Sequence, residues 1–465
     1  MSNPLDLSLR EVSRALRTRE LSPVELTRQS LAQIAADEPR LNAYVCVTTD
    51  LAMAAAQQAE REIAAGNWRG ELHGVPIAIK DLYDMAGLAT TCSSRVRHDH
   101  IANEDSACVV RLAQAGAVIV GKTHTHEFAY GIATPTTGNP WNPKLIPGGS
   151  SGGSGATVAA RGCFMAMGTD TGGSIRIPAA VCGTVGLKPT FGRVSRFGIA
   201  SLSWSLDHAG PLTRTVGDAA VTLSALAGYD ARDPGSANLP VADYRAELEL
   251  GVKGLRIGVP RNYFFDQVDA EVSRHVRAAL ARLQADGAQL VDVTIPMADK
   301  IMPVEFGLCM PEASAYHQQT MRTRPELYEE DVRALLETGE MIPAVDYIAA
   351  LRVRTQMQAA WKTMFTGLDA IIGPSVPCAA TPRGQLSVTW ADGTDEPISS
   401  VYVRLSAPAN ILGLPSVAVP CGFTTKGLPT SFQVIGRPFQ ESRILRIARA
   451  YERTVDWAQQ RPPAT

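Results

Sequence analysis

The segment Asp105-Ser-Ala-Cys-Val-Val-Arg-Leu-Ala-Gln-Ala115 runs through Gly116 into Ala117-Val-Ile-Val120. Its first part carries apolar residues at helical spacing and its last part is a short apolar, mostly β-branched run, so it predicts a helix followed by a strand. Outward from this pair the alternation continues. Residues 42–48, 75–80, 255–259, 289–293 and 370–373 read as strands, and 51–65, 272–284, 326–337 and 344–365 as helices. Strands and helices in alternation argue for an α/β protein whose sheet is covered by helices on both faces. Two short helices should open the chain, because Ser8-Leu-Arg-Glu11 and Ser22-Pro-Val-Glu25 both have the form of a capping box.

The bulk properties agree with a large globular protein. A chain of 465 residues, 45% hydrophobic and 19% charged, can bury a sizeable core without disulfide or metal staples. One continuous domain over 1–465 is expected, with a helical N-terminal wrap to about residue 66. Forty-four basic against 46 acidic residues leave a net charge of −2, which gives no footprint for nucleic acid or an anionic membrane. Eight cysteines, Cys46, Cys92, Cys108, Cys163, Cys182, Cys309, Cys378 and Cys421, lie far apart with no CxxC pair and read as buried free thiols. The first twenty residues resemble neither a signal peptide nor a membrane span, so a cytoplasmic protein is expected. Polar Pro/Gly stretches at 232–240 and 381–397 read as surface excursions.

Three motifs have competing readings. Gly116-Ala-Val-Ile-Val-Gly-Lys-Thr123 matches the phosphate-loop pattern by letter, but its variable positions are themselves the best strand candidate, so nucleotide binding is rejected. His124 and His126 lack a third ligand cluster, which favours pocket or structural histidines over a metal site. Cys182 in Ala179-Ala-Val-Cys-Gly183 could be offered as a nucleophile, yet its apolar neighbours disfavour a thiolate and a packed thiol is preferred.

The informative constellation is Pro147-Gly-Gly-Ser-Ser-Gly-Gly-Ser-Gly155 followed by Thr169-Asp-Thr-Gly-Gly-Ser-Ile-Arg176. Two Ser-centred glycine turns around apolar runs fit a cradle, in which backbone N–H groups approach a carbonyl oxygen that a serine attacks; a Ser/Gly surface loop is the bland alternative. Lys80 closes the apolar run Val75-Pro-Ile-Ala-Ile79 and, in interior surroundings, would lose its proton and serve as a base. A lysine after a strand is more often a solvated end.

Taken together, strand-Lys80-Asp81, Gly148-Gly-Ser-Ser-Gly-Gly-Ser154, Gly168-Thr-Asp-Thr-Gly-Gly-Ser-Ile-Arg-Ile-Pro178 and Cys182-Gly-Thr-Val-Gly-Leu-Lys-Pro-Thr190 resemble the amidase signature family of serine hydrolases. The resemblance runs from the N-terminal helices to Ala450 and is weakest at about 241–360. It implies a single large mixed sheet between helical layers, a signature core at about 70–215 and a variable pocket region at about 241–400. It also implies a Ser-Ser-Lys triad: Ser174 as nucleophile, Ser150 as bridging serine on a cis peptide, and Lys80 as general base. Backbone N–H groups of Thr171, Gly172, Gly173 and Ser174 would form the oxyanion hole, with Ser151, Asp170 and Arg176 as supports. The pocket would draw on residues 126–132, 199–203, 305–317 and 374–379, with His126, Phe128, Tyr130 and Phe306 as wall residues, of which Phe128, Tyr130 and Phe306 suit an apolar or aryl acyl group. The expected activity is hydrolysis of a small carboxylic amide through an acyl-enzyme, without cofactor or metal. The alternatives are the glutamine-hydrolysing component of a tRNA-dependent amidotransferase, or a urea-, biuret- or ester-type hydrolase of the same family. The segment Pro311-Glu-Ala-Ser-Ala-Tyr-His317 departs from the usual pattern of that amidotransferase component, which ranks that reading lower. A homodimer and an accessory subunit stay open.

Overall fold

The computed structural model describes residues 3–463. In chain order its strands are β1 (Tyr44–Val47), β2 (Pro76–Lys80), β3 (Val118–Thr123), β4 (Met165–Asp170), β5 (Val185–Lys188), β6 (His208–Thr213), β7 (Arg256–Pro260), β8 (Gln289–Val293), β9 (Ala370–Pro374), β10 (Ser387–Thr389), β11 (Asp395–Pro397), β12 (Ser416–Phe423) and β13 (Pro429–Gly436). Among the described residues eleven of them form one mixed sheet, in the order β1-β3-β2-β4-β6-β5-β12-β13-β9-β7-β8. β10 and β11 form a separate hairpin. β2 runs parallel to β3 and β4, and β7 parallel to β8 and β9, while the strands joining these two groups pair antiparallel.

Burial shows why the central strands read as apolar runs. Every residue of β2, β4, β5, β6, β9 and β13 is buried, as expected where both faces of a sheet are covered, whereas the edge strands β1 and β8 are partly exposed. Ile77 and Ile79 of β2 and Met165 and Met167 of β4 face one core, shared with Leu112 and with Leu223 of the helix Val216–Leu226. Ala78 and Ala166 face the opposite core with Ile34, Ala56 and Ala156, from the helices Pro23–Leu41, Thr49–Ala64 and Gly152–Ala159. The helices-on-both-faces expectation is met by this alternation.

The opening helices form as their caps dictate. Ser8 Oγ accepts from Glu11 N–H (3.3 Å) and Glu11 Oε2 accepts from Ser8 N–H (2.7 Å), a complete box before Leu9–Arg17. The second box is half formed: Ser22 Oγ accepts from Glu25 N–H (3.2 Å), but the Glu25 carboxylate turns to Arg28 and Gln29. The phosphate-loop letters resolve as argued, with Val118–Thr123 in the sheet and Lys122 fully buried in an ion pair with Asp81 (2.7 Å). The helix Ile301–Thr323 lies outside the expected elements. The excursion at 381–397 is more than surface, since Trp390 is buried with Tyr402 and Ile146. No helix among the described residues is long and apolar enough to cross a membrane.

Candidate active site

Parallel pairing of β2 with β4, Ile77 against Met165 and Ala78 against Ala166, brings the carboxyl ends of the two strands side by side. Lys80 ends β2 and is fully buried. Its Nζ lies 2.7 Å from Ser150 Oγ, 2.9 Å from Ser151 Oγ and 2.8 Å from Thr169 Oγ1. All three partners are hydroxyls, and among the described residues Lys80 forms no ion pair. Burial without a paired carboxylate pushes its pKa well below the usual lysine range, although the more distant charges of Asp170 and Asp207 oppose the shift. Lys122, also buried, differs in having Asp81 against it.

Ser150 enters the site on a tightly held loop, with a cis peptide between Gly149 and Ser150. Its carbonyl accepts from His126 N–H (3.0 Å) and Thr134 Oγ1 (3.1 Å), and Thr134 Oγ1 also accepts from Gly152 N–H (3.1 Å). The helix Gly152–Ala159 that follows is glycine-rich because it lies against backbone: a Cβ at Gly153 would stand 2.4 Å from Ala43 O. Ser151 N–H donates to Ser174 O (3.2 Å), which ties the two serine turns together.

The second turn is built by Asp170. Its Oδ1 accepts from Gly173 N–H (2.9 Å) and Arg176 Nη2 (3.0 Å), and its Oδ2 from Ile175 N–H (3.2 Å) and Arg176 Nε (3.0 Å). Asn410 Nδ2 donates to both the carbonyl and Oδ1 of Asp170 (2.9 Å each), and Arg176 also donates to Asn410 Oδ1 (2.6 Å) and Gln433 Oε1 (3.0 Å). Burial alone would raise the Asp170 carboxyl, but Arg176, Lys188 and Asn410 outweigh it and hold the pKa far below the carboxylate range.

This network corrects one expectation. Gly173 N–H is committed to Asp170, so the N–H groups left without a protein partner, among the described residues, are those of Thr171, Gly172 and Ser174. The same three residues line a cavity of about 340 Å³, and Gly173 does not. Ser174 Oγ makes no hydrogen bond to another described residue.

The rest of the cavity wall comes from Ala129 to Ile132, Leu202, Glu305, Phe306, Cys309, Met310, Leu335, Pro397, Ser399, Ser400 and Val403. Tyr130 and Phe306 are among the residues that line it, and His126 and Phe128 are not. His126 acts as a clamp behind the wall: Nδ1 accepts from Thr134 N–H (3.3 Å) and Ala133 N–H (3.4 Å), and Nε2 faces Asp331 Oδ2 at 3.0 Å. Phe128 packs against His317 with ring centroids 4.3 Å apart. Residues 374–379 are also displaced from the wall, because Val376 packs into the cluster around Tyr402 and Trp390; residues 397–403 take that place. Cys182 is fully buried, bonds Pro147 O (3.2 Å) and has its thiol pKa raised by burial, as a packed thiol should. All eight cysteines are free, with Cys46, Cys378 and Cys421 only partly buried.

Comparison with known proteins decides the family. The amidase family model matches residues 25–445. The chain belongs to the amidase signature family. Over 463 residues this amidase is 52% identical to an amidase of Pseudomonas putida, covering 99% of each chain. It is 40% identical over 488 aligned positions to the A subunit of the glutamyl-tRNA(Gln) amidotransferase of Myxococcus xanthus, covering 98% of this chain and 99% of the relative. A solved inhibitor-bound complex, described as revealing the evolutionary origins of an s-triazine catabolic enzyme, superposes with a TM-score of 0.93 at 32% identity, covering 96% of this chain and 98% of that one.

Three groups that shape the candidate site escape a reading of the sequence. Asn410 and Gln433 join Arg176 across more than 230 residues, and their only local signal is a polar residue inside an apolar element, as in Pro429-Thr-Ser-Phe-Gln-Val-Ile-Gly436. Thr134 carries no motif at all.

Proposed function

We propose that the chain hydrolyses a small carboxylic amide to the acid and ammonia or an amine through an acyl-enzyme on Ser174. The observation that carries this reading is Lys80, fully buried, held by three hydroxyls and without a counter-charge among the described residues. A neutral lysine amine offers two donors and one lone pair, so it can accept the Ser150 proton while donating to Ser151 and Thr169. Ser150 in turn takes the proton of Ser174 as Ser174 Oγ attacks the amide carbon. The carbonyl oxygen, now an oxyanion, is met by the free N–H groups of Thr171, Gly172 and Ser174. The proton returns through Ser150 to the leaving nitrogen, the C–N bond breaks, and water entering along the same relay hydrolyses the ester and restores Ser174. Asp170 and Arg176 position the turn and do not react.

The greater identity to the Pseudomonas putida amidase than to the amidotransferase component favours an autonomous amidase over a glutaminase working within a complex. The test is ammonia release by the purified chain over aliphatic amides, aryl amides, glutamine and ureas, with Ser174→Ala as control. Release from one amide class, abolished in the control, is the expected result. Activity unchanged in Ser174→Ala overturns the triad, and glutamine turnover that depends on added partner chains reverses the order of the two readings.

A further inference from the structure

Glu305 lies on the helix Ile301–Thr323, lines the cavity shared with Ser174 and is only 2% exposed. Neither carboxyl oxygen has a hydrogen-bond partner among the described residues, and Oε2 is cut off from solvent. Oε1 lies against the oxyanion turn, so close that a Cβ at Gly172 would stand 2.7 Å from it. Tyr130 OH is a second buried polar atom of the same wall with no partner among the described residues. Buried polar atoms in folded proteins are nearly always paired, and the proton relay above uses neither of these.

The surroundings decide which partner fits. Burial raises the Glu305 carboxyl well above its usual range; Asp170 and Glu312 add to this, and the charges of Arg176 and Arg354 do not reverse it. Both cations are engaged elsewhere, Arg176 with Asp170 and Arg354 with the carbonyls of Ile411 (2.6 Å) and Ser205 (3.1 Å). A protonated carboxyl presents one O–H donor beside one carbonyl acceptor. A neutral amide group can meet that carboxyl at Oε1, the oxygen beside Gly172, in one hydrogen bond without bringing a charge into the wall. An ammonium partner would require both ions to be stripped of water against Phe306, Met310, Leu335 and Val403.

We propose that Glu305 is a specificity-determining residue, and that the substrate carries, within a few bonds of the scissile amide, a second neutral carboxamide or ureido group that pairs with the Glu305 carboxyl. The short span follows from the contact with Gly172, whose N–H points to the scissile carbonyl. This inference rests on the Ser174 amidase reading for the position of that carbonyl.

The experiment compares malonamide and succinamide with the chain-matched monoamides butyramide and pentanamide, and with β-alaninamide as a cationic probe. For the full chain, kcat/KM should favour the better diamide by about tenfold or more, the effect of one well-placed hydrogen bond. Glu305→Gln keeps a donor beside an acceptor and should preserve that preference, whereas Glu305→Leu should bring the ratio to within about threefold of unity. Calorimetric binding to Ser174→Ala, alone and combined with each Glu305 change, reads the same preference without turnover. Equal binding of diamide and monoamide by Ser174→Ala overturns the inference, as does a preference that survives Glu305→Leu. Stronger use of β-alaninamide, lost in Glu305→Gln, overturns it in favour of an ion pair. The amidase reading fails separately, if Ser174→Ala still turns over any of these amides.

Discussion

Asp170 and Arg176 face each other through two hydrogen bonds of 3.0 Å, and both side chains are fully buried. Their pair holds Gly173 N–H away from the cavity and thereby sets which backbone donors remain free. Asp170→Asn should leave the Arg176 cation without its counter-charge and cost about 3–5 kcal/mol in denaturant unfolding. The depressed carboxyl pKa fixes the sign of the pH effect: its stabilisation is present above the unfolded value of about 3.9 and is lost as pH falls through the folded one. An Asp170→Asn protein as stable as the parent at neutral pH would remove this pair from the account.

Lys80→Met should lower kcat by about 10²–10⁴ while the protein stays folded, since a methionine fills the volume but accepts no proton. In the parent, kcat/KM should rise with pH through a limb that reports Lys80 losing its proton, displaced to the acid side of ordinary lysine by burial. Folding favours the neutral amine, so this group's contribution to stability is full above the unfolded pKa of about 10.4 and is lost as pH falls through the folded value. Lys80→Met should flatten that part of the stability curve, measured by thermal unfolding across pH. A Lys80→Met enzyme with parental turnover would exclude lysine as the base.

Gly173 has φ +130°, and a Cβ there would stand 2.7 Å from both Ile177 Cδ1 and Ser406 Cβ. Gly173→Ala should therefore shift the turn and lower kcat by about 10²–10³, the scale of one lost oxyanion donor, although its own N–H faces Asp170. Steady-state kinetics with circular dichroism separates this outcome from unfolding. Parental kcat in a folded variant would show that the turn tolerates the change.

Cys182→Ala should retain turnover and cost about 1 kcal/mol of stability for the lost packing. Iodoacetamide should leave the native enzyme active, because burial raises the Cys182 thiol pKa and encloses its sulfur. Rapid inactivation traced to Cys182 would contradict both points.

Whereas the Thr169 hydroxyl on Lys80 shows only in the structure, Lys80, Ser150, Ser151 and Ser174 can be picked out in the sequence because they sit on short-range patterns, an apolar strand and two glycine turns. The same holds for Ser8, whose cap is entirely local. What stays hidden depends on distant partners. The helix Ile301–Thr323 contains Gly307 and Pro311, residues that argue against a helix in isolation, and tertiary packing of Val304, Leu308 and Ala313 overrides them. Glu305 resembles any solvated helix charge until that helix is docked. His126 and Phe128 fall on the right loop, but the positive φ values of Phe128 and Ala129 turn the backbone between them and the wall residues. Gly173 shows that a correct turn does not reveal which N–H groups it leaves free.

The sheet order carries a consequence for synthesis. β12 and β13 come last in chain order among the described strands, yet they lie in the middle, between β5 on one side and β9 on the other. Gln433, which braces Arg176, is on β13. A chain still growing on the ribosome thus holds its serines and its lysine well before it holds the strand that locks them in place. The two half-sheets are joined into one only through these late strands.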